Sequence, residues 1–336
     1  NVKGGQTRAA GDQDGFRRLA RRLLENLVLL QSNMVGVFLL QHLKKHIQRA
    51  LVLVVLLAHV RKLQHIKHRF KVLFLRRRET YRAELPEGVL LLTAAVDVQG
   101  NRLEYEICGW GVGEESWGIQ KGIVLGKPNH PKTWELLDDV LERTYSFADG
   151  SGLKITRSFI DSGGLNTAQV YDYCKRNAAK QRFAIKGQGG PGIPLLHRIG
   201  RAKISGIALV MLGVDDGKQQ VMNRLAIDSP GPQFFHFPKD DGRGYDELYF
   251  KGIISEHKRQ VIRGGQIKEI WETTTGVRNE PLDLRVYNLA CMKSLNIDWA
   301  KQKELLHPEE AKAAAPAANA ARSTVAKPKS RAVDIW

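Results

Sequence analysis

Cysteine is scarce in this chain. Cys108, Cys174 and Cys291 stand far apart among 336 residues, odd in number and with no Cys-x-x-Cys pair. That excludes a disulfide framework or a zinc knuckle and matches a reducing cytosol. Long apolar runs are missing as well. Ala50–Ala58 is the longest, and Lys44, Lys45 and Arg49 separate it from Val35–Leu40. Both fall short of the roughly 20 residues a membrane span needs, so no membrane partner is expected. The chain opens on Asn1, not Met, with no secretory pattern, which reads as a fragment. No Gly-x-x-x-x-Gly-Lys-[Ser/Thr] loop occurs, nor a Gly-x-Ser-x-Gly elbow or a His-Glu-x-x-His pair. An ATP motor, an α/β-hydrolase nucleophile and a zincin site are thereby set aside. Aromatic residues make up 7% of the chain, and Trp110, Trp117, Trp134 and Trp271 fall among apparent core elements. They read as packing residues, not as a base-stacking platform.

Positive charge is abundant but unevenly placed. The formal net charge is +17, of which residues 1–86, with 18 Lys+Arg and 5 Asp+Glu, carry +13, leaving +4 for residues 87–336. A polyanionic partner would ordinarily follow from such a balance, yet the excess belongs to the N-terminal quarter. Residues 1–76 are rich in Leu, Val, His, Gln and Arg, and Phe16–Leu30 and Val35–Ile47 have the spacing of amphipathic helices. Three readings fit this stretch: a basic helical arm for DNA or a membrane surface, a helical adaptor, or sequence not native to the downstream domain.

From about Arg77 the pattern becomes regular. Val89–Val98 is nearly all apolar, as in a central strand covered on both faces. After Gln99-Gly100-Asn101, Leu103, Tyr105 and Ile107 alternate with Arg102, Glu104 and Glu106, which predicts a half-buried strand. Ser116–Val124 gives a third, antiparallel strand. A helix over Pro131–Tyr145, a strand over Leu153–Ile160, a helix over Thr167–Ala179 and a short strand over Arg182–Lys186 come next. Then come a Gly/Pro loop over Gly187–Pro194, a strand over Gly206–Val214 and helices over Gly217–Ile227 and Tyr245–Ser255. A hairpin of His257–Arg263 and Gln266–Glu272 turns at Gly264-Gly265. Pro281 opens a helix running to about Leu306, and residues 307–336 form a flexible Ala/Pro/Lys-rich tail.

Three carboxylates stand out on this framework. Asp97 closes the first apolar strand, Asp161 closes Ile155–Ile160, and Asp283 lies in the first turns of the last helix. Acids at the ends of buried strands are held rigidly while facing solvent, and a helix packed across the sheet can add a third. Each alone is as readily a strand-end or helix-start carboxylate accepting backbone hydrogen bonds; the strand, strand, helix order favours a joint site. Oxygen donors suit Mg²⁺ or Mn²⁺, and two such ions can activate water and neutralise a scissile phosphate. Glu280, three residues before Asp283, is a further ligand or a helix N-terminal acid. Ser162, Gly163 and Gly164 would let a phosphate backbone approach, or form a plain turn. Lys186 is placed to contact phosphate, or is a solvated strand end. Asp215-Asp216-Gly217-Lys218 reads as a turn rather than a second acidic site.

From about Arg77 to Leu306 the chain resembles the nuclease domain of the phage terminase large subunit, lambda GpA type. The segments that carry the resemblance are Arg78-Glu79-Thr80-Tyr81 leading to Leu92–Gln99, Leu103–Gly111 with Gly109-Trp110-Gly111, and Ile160–Gly164 with Val170-Tyr171. Ala184–Gly187 and Asn279–Asp283, with Tyr287 and Ala290, complete the pattern. The resemblance implies an α/β, RNase H-like mixed sheet flanked by helices over residues 77–306; residues 1–76, read from their own composition, are a basic, helical N-terminal extension outside it. The resemblance also implies a metal-dependent endonuclease that cuts concatemeric viral double-stranded DNA during packaging in the host cytoplasm. On that pattern Asp97, Asp161 and Asp283 match acids binding two Mg²⁺ or Mn²⁺ ions, and the terminase small subunit and capsid portal are partners, the portal through the tail. Family members carry an ATPase domain ahead of the nuclease. Residues 1–76 neither match it nor leave room for it, which leads us to expect a truncated or rearranged prophage gene. A catalytically inactive DNA-binding or capsid-docking remnant, and another RNase H-like nuclease such as a resolvase, are the alternatives.

Overall fold

The structure, a computed structural model, describes residues 77–203 and 205–306, together with Arg22, residues 42–48, 50, 51 and 54, and residue 308. The chain separates into two compact units, Asn1–His68 and Arg69–Trp336, and the second holds the sheet and all the candidate acids. In the first, residues 42–48 are helical. The rest of the helices expected over Phe16–Leu30 and Val35–Ile47 lies outside the described residues, Arg22 apart, as does the tail beyond residue 308.

After the two-residue strand β1 (Arg78–Glu79) comes an antiparallel meander of β2 (Leu91–Val98), β3 (Arg102–Trp110) and β4 (Ser116–Leu125). Helix α1 (Pro131–Leu141) and the small β5 (Tyr145–Ser146) and β6 (Gly152–Leu153) pair lead to β7 (Ile155–Asp161), helix α2 (Thr167–Arg176) and β8 (Arg182–Gln188). Next are β9 (Leu196–Arg201), β10 (Ala208–Gly213), α3 (Val214–Leu225), β11 (Phe235–Pro238) and α4 (Glu247–Ile253). A separate hairpin of β12 (Glu256–Arg263) and β13 (Gln266–Thr273) precedes α5 (Glu280–Lys293) and α6 (Trp299–Leu306). Nine strands form one sheet in the order β1-β11-β4-β3-β2-β7-β8-β10-β9, in which β7, β8 and β10 continue parallel to β2.

Strand alternation divides the interior into two layers. Leu92, Ala94 and Val96 of β2 pack with Trp134 and Leu137 of α1 and Val170 and Tyr173 of α2. Leu91 and Ala95 point the other way, into a core closed by α3, α4 and α5. A meander extended by parallel strands on the side of its first member, with helices over both faces, is RNase H-like.

Three expectations need correction. Strand β3 is not half-buried: Glu104 is 2% and Glu106 0% exposed, because α5 covers the face they were expected to turn to solvent. The helix from Pro281 does not run through to Leu306. It stops at Lys293, Asn296 takes a left-handed backbone with φ of 47°, and Asp298 accepts from the amides of Ala300 and Lys301 to start α6. Asp215-Asp216-Gly217 is the first turn of α3, not a free turn. Asp215 accepts from the Gly190 amide and Asp216 from the Leu195 amide, which ties the Gly/Pro loop to the helix start. The hairpin turn at Gly264-Gly265 does form, with φ of 59° and 75°.

Candidate active site

Register places the first two acids. Val96 pairs with Ile160 in the parallel β2/β7 ladder, so Asp97 and Asp161, one residue on, leave adjacent strands side by side. Alternation from Ala95 and Phe159, both in the α5-side core, turns both acids toward α5. That helix packs on β2, β3 and β7, with Glu280 and Asp283 in its first turn. One turn after Asp283, the buried Tyr287 hydroxyl donates to Asp161. Asp97 and Asp161 therefore lie on the sheet face covered by the helix whose first turn carries Asp283.

Their electrostatics agree with that placement. Burial pushes the Asp97 carboxyl up to about 6; the Gln99 amide, donating at 2.5 Å, opposes the shift, and the charges of Asp161, Glu280 and Glu104 reinforce it. Asp283 rises to about 7 through burial, opposed by Lys218 and reinforced by Glu256, Asp97 and Asp161. Asp161 is raised by burial against the amides of Gly163 and Ser162, the Lys186 charge and Tyr287. Among the described residues, no three His, Cys, Asp or Glu side chains already stand in metal-holding geometry. The acids meet at electrostatic range.

Two further acids escaped the sequence. Glu104 sits directly opposite Asp97 in the β2/β3 ladder and is bonded by Arg102 at 2.8 Å, Lys121 at 3.1 Å and Arg278. Burial alone would raise its carboxyl, but these three cations hold it below the usual range. The short turn over 99–101 carried the signal, since pairing Val98 with Leu103 forces 97 opposite 104. Glu256, the first residue of β12, accepts from Lys218 at 2.7 Å and from the Asn279 amide at 2.9 Å. It is brought in by the hairpin from another part of the chain, and no local pattern announces it.

Glu280 lies at the rim, where Arg278 bonds it at 2.7 Å and Arg102 stands 3.6 Å away. Ser162 is turned inward, its hydroxyl donating to the Ile185 carbonyl at 2.7 Å. Its side chain is thus committed to the fold, while Gly163 and Gly164 are exposed. The Gly163 amide donates to Asp161 at 2.9 Å. Lys186 is exposed at the end of β8, close enough for its charge to act on Asp161.

Beneath the acids, α5 is fixed to the sheet by buried polar groups. Arg285 donates to Glu106 at 2.5 Å and to the Tyr249 hydroxyl at 2.9 Å, and its guanidinium lies 5.0 Å from the rings of both Phe235 and Phe237. Trp110 donates to Thr93 and Thr93 to Asn288, both at 2.8 Å, and Asn288 donates to the Glu106 carbonyl at 3.0 Å. These directional bonds set the rotation of α5, and with it the direction of Asp283 and Tyr287.

Residues 63–304 match the family model described as terminase large subunit gpA, endonuclease domain. The chain belongs to this family. Over 227 residues it is 32% identical to the terminase large subunit of Escherichia phage lambda, covering 66% of this chain and 35% of that protein. Over 218 residues it is 28% identical to the terminase large subunit of Enterobacteria phage P21, covering 63% and 34%. The chain thus spans about a third of the length of these curated relatives. A mutant nuclease domain of the large terminase subunit gp2 of bacterial virus Sf6, solved with manganese, aligns at 12% identity and a TM-score of 0.38, covering 61% of this chain and 90% of that one. The terminase endonuclease match takes in all three candidate acids and every element from β1 to α5. Among the described residues, no helix of this terminase chain is long and apolar enough to cross a membrane.

Proposed function

We propose that this terminase endonuclease domain hydrolyses phosphodiester bonds of double-stranded viral DNA, cutting concatemers for packaging, with Asp97, Asp161 and Asp283 holding two Mg²⁺ or Mn²⁺ ions. The convergence of these acids on one end of the sheet, where Asp161 acts on Asp97 and both Asp97 and Asp161 act on Asp283, carries the reading. The donor set fits a hard divalent cation. It is all carboxylate oxygen, and burial and mutual repulsion disfavour its charge, a balance that a divalent cation reverses. Bound there, such ions supply charge neutralisation at the scissile phosphate and a more acidic water.

The remaining work falls to the chain. Gln99, Tyr287 and Asn279 each hydrogen-bond one of the three acids and orient it. Exposed Gly163 and Gly164 leave room for a phosphate backbone beside Asp161, and Lys186 supplies a cation for it. Glu280 is the reserve ligand at the rim. Packaging partners, a small subunit and a portal, and a setting in the host cytoplasm follow from the family.

A plasmid cleavage assay on wild type and Asp97→Ala, with EDTA, Mg²⁺ or Mn²⁺, tests the reading. Wild type is expected to nick and linearise plasmid only with divalent metal, and the variant to do neither while keeping the wild-type circular dichroism spectrum. Retained metal-dependent nicking by Asp97→Ala overturns the site.

A further inference from the structure

Lys218 is the one basic side chain ion-paired to any of the three candidate ligands within 4 Å among the described residues. Its ammonium lies 2.8 and 2.7 Å from the two Glu256 oxygens and 3.9 Å from Asp283 Oδ1. Glu256 is buried and Lys218 is partly buried, with side chains 3% and 12% exposed, so water screens the pair less than it would a surface ion pair. Placement is dictated by backbone. Gly217, just before it, lies so close to α5 that an added Cβ would sit 2.5 Å from Val286 Cγ1. No other residue type lets α3 approach α5 so closely, and that approach sets Lys218 beside the helix turn carrying Asp283. Asn279 closes the arrangement, its amide donating to Glu256 at 2.9 Å and to Asp283 at 3.0 Å.

We infer that Lys218 is a positioning residue that serves as a built-in cation of the site, neutralising the Glu256–Asp283 edge and so limiting how strongly divalent metal binds there. This rests on the metal site proposed above. A fixed positive charge beside Asp283 repels an incoming divalent ion, and Glu256 partly cancels it. Removing Lys218 leaves Glu256 and Asp283 as two uncompensated buried carboxylates, which strengthens divalent binding. Removing Glu256 leaves Lys218 to act on Asp283 alone, which weakens it.

The experiment is Mn²⁺ titration of the full chain by isothermal calorimetry, with Mn²⁺-dependent thermal stabilisation as a second readout, on wild type, Lys218→Met, Lys218→Arg, Glu256→Gln and Asp97→Ala. Lys218→Met is expected to bind Mn²⁺ about tenfold more tightly than wild type, or to take up an additional ion, as befits loss of a unit charge a few ångströms away in a partly screened site. Lys218→Arg should restore the wild-type isotherm, and Glu256→Gln should weaken binding several-fold. Should Lys218→Met fail to fold, the Glu256→Gln titration decides alone. Affinity within twofold of wild type in both charge-removing variants, with binding lost in Asp97→Ala, overturns the role of Lys218 and leaves the metal site standing. Undiminished binding in Asp97→Ala overturns the metal site, and this inference with it.

Discussion

At the scale of single residues, Asp97 and Asp283 are ionised against the preference of the fold. Their carboxyls lie near 6 and 7 in the folded protein, against about 4 when unfolded. The folded state therefore holds protons that the unfolded state has released, and the stability this contributes is lost as pH rises through the folded values. His236 adds in the same direction. Burial would lower its pKa, but its bonds to Glu79 and Glu115 raise it, so its contribution is also lost on going alkaline. Glu104 and Glu114 act oppositely, but only as pH falls below the usual carboxylate range. Between about pH 5 and 8 the raised groups decide the sign. In EDTA, Tm is expected to be higher at pH 5 than at pH 8, with Asp97 alone worth about 1.4 kcal/mol over that interval. Scanning calorimetry at both pH values checks this, and Asp97→Asn with Asp283→Asn should flatten the difference. A divalent ion bound at these acids should give its largest stabilisation at pH 8, where they are ionised. A Tm that climbs steadily from pH 5 to pH 8 without metal contradicts the account.

At the scale of elements, much was legible. The apolar β2, the Pro-started α5 and the Gly-Gly hairpin were all placed from local pattern, and Asp97, Asp161 and Asp283 were singled out by their positions at strand and helix ends. What pattern could not show was a second covering layer. Alternation along β3 separates apolar from charged residues, and charge ordinarily means solvent. Here Glu106 meets Arg285 instead, a partner 179 residues away in sequence with side chains on both sides 0% exposed. Glu256 was missed for the same reason: Lys218 and Asn279, which hold it, belong to other segments. The buried pair makes α5 sensitive to truncation of one member. Arg285→Met strands Glu106 without its cation and is expected to destabilise the domain by about 3–5 kcal/mol. Adding Glu106→Gln should recover a large part, because both charges are then gone and the guanidinium's contacts with Phe235 and Phe237 are replaced by thioether packing. Urea melts of the single and double variants measure the coupling. Additive losses would mean that the pair does not hold α5.

At the scale of the whole molecule, the question is where the folded nuclease unit begins. Contacts gather Arg69–Trp336 into one unit, and among the described residues of that unit Arg77 is the first whose side chain grips it. Its guanidinium donates to the carbonyls of Phe235 at 3.3 Å, Arg224 at 3.3 Å, Leu225 at 3.0 Å and Ile227, and lies 4.2 Å from the Phe234 ring. It thereby caps the C-terminal end of α3, whose N-terminal end carries Lys218. Strand β1 comes next, pairing with β11 at the sheet edge, and Glu79 reaches His236 at 3.2 Å. These few residues do for α3 and β11 what no later segment does among the described residues. A fragment of residues 69–308 is therefore expected to melt within a few degrees of the full chain. A fragment of residues 81–308, lacking Arg77, β1 and Glu79, should lose several degrees, since each lost kcal/mol lowers Tm by about 2–4 °C in a domain of this size. Thermal melts of both fragments at one pH, in EDTA, compare them directly. Equal Tm values would show that Arg77 and β1 decorate the edge of the sheet without securing it.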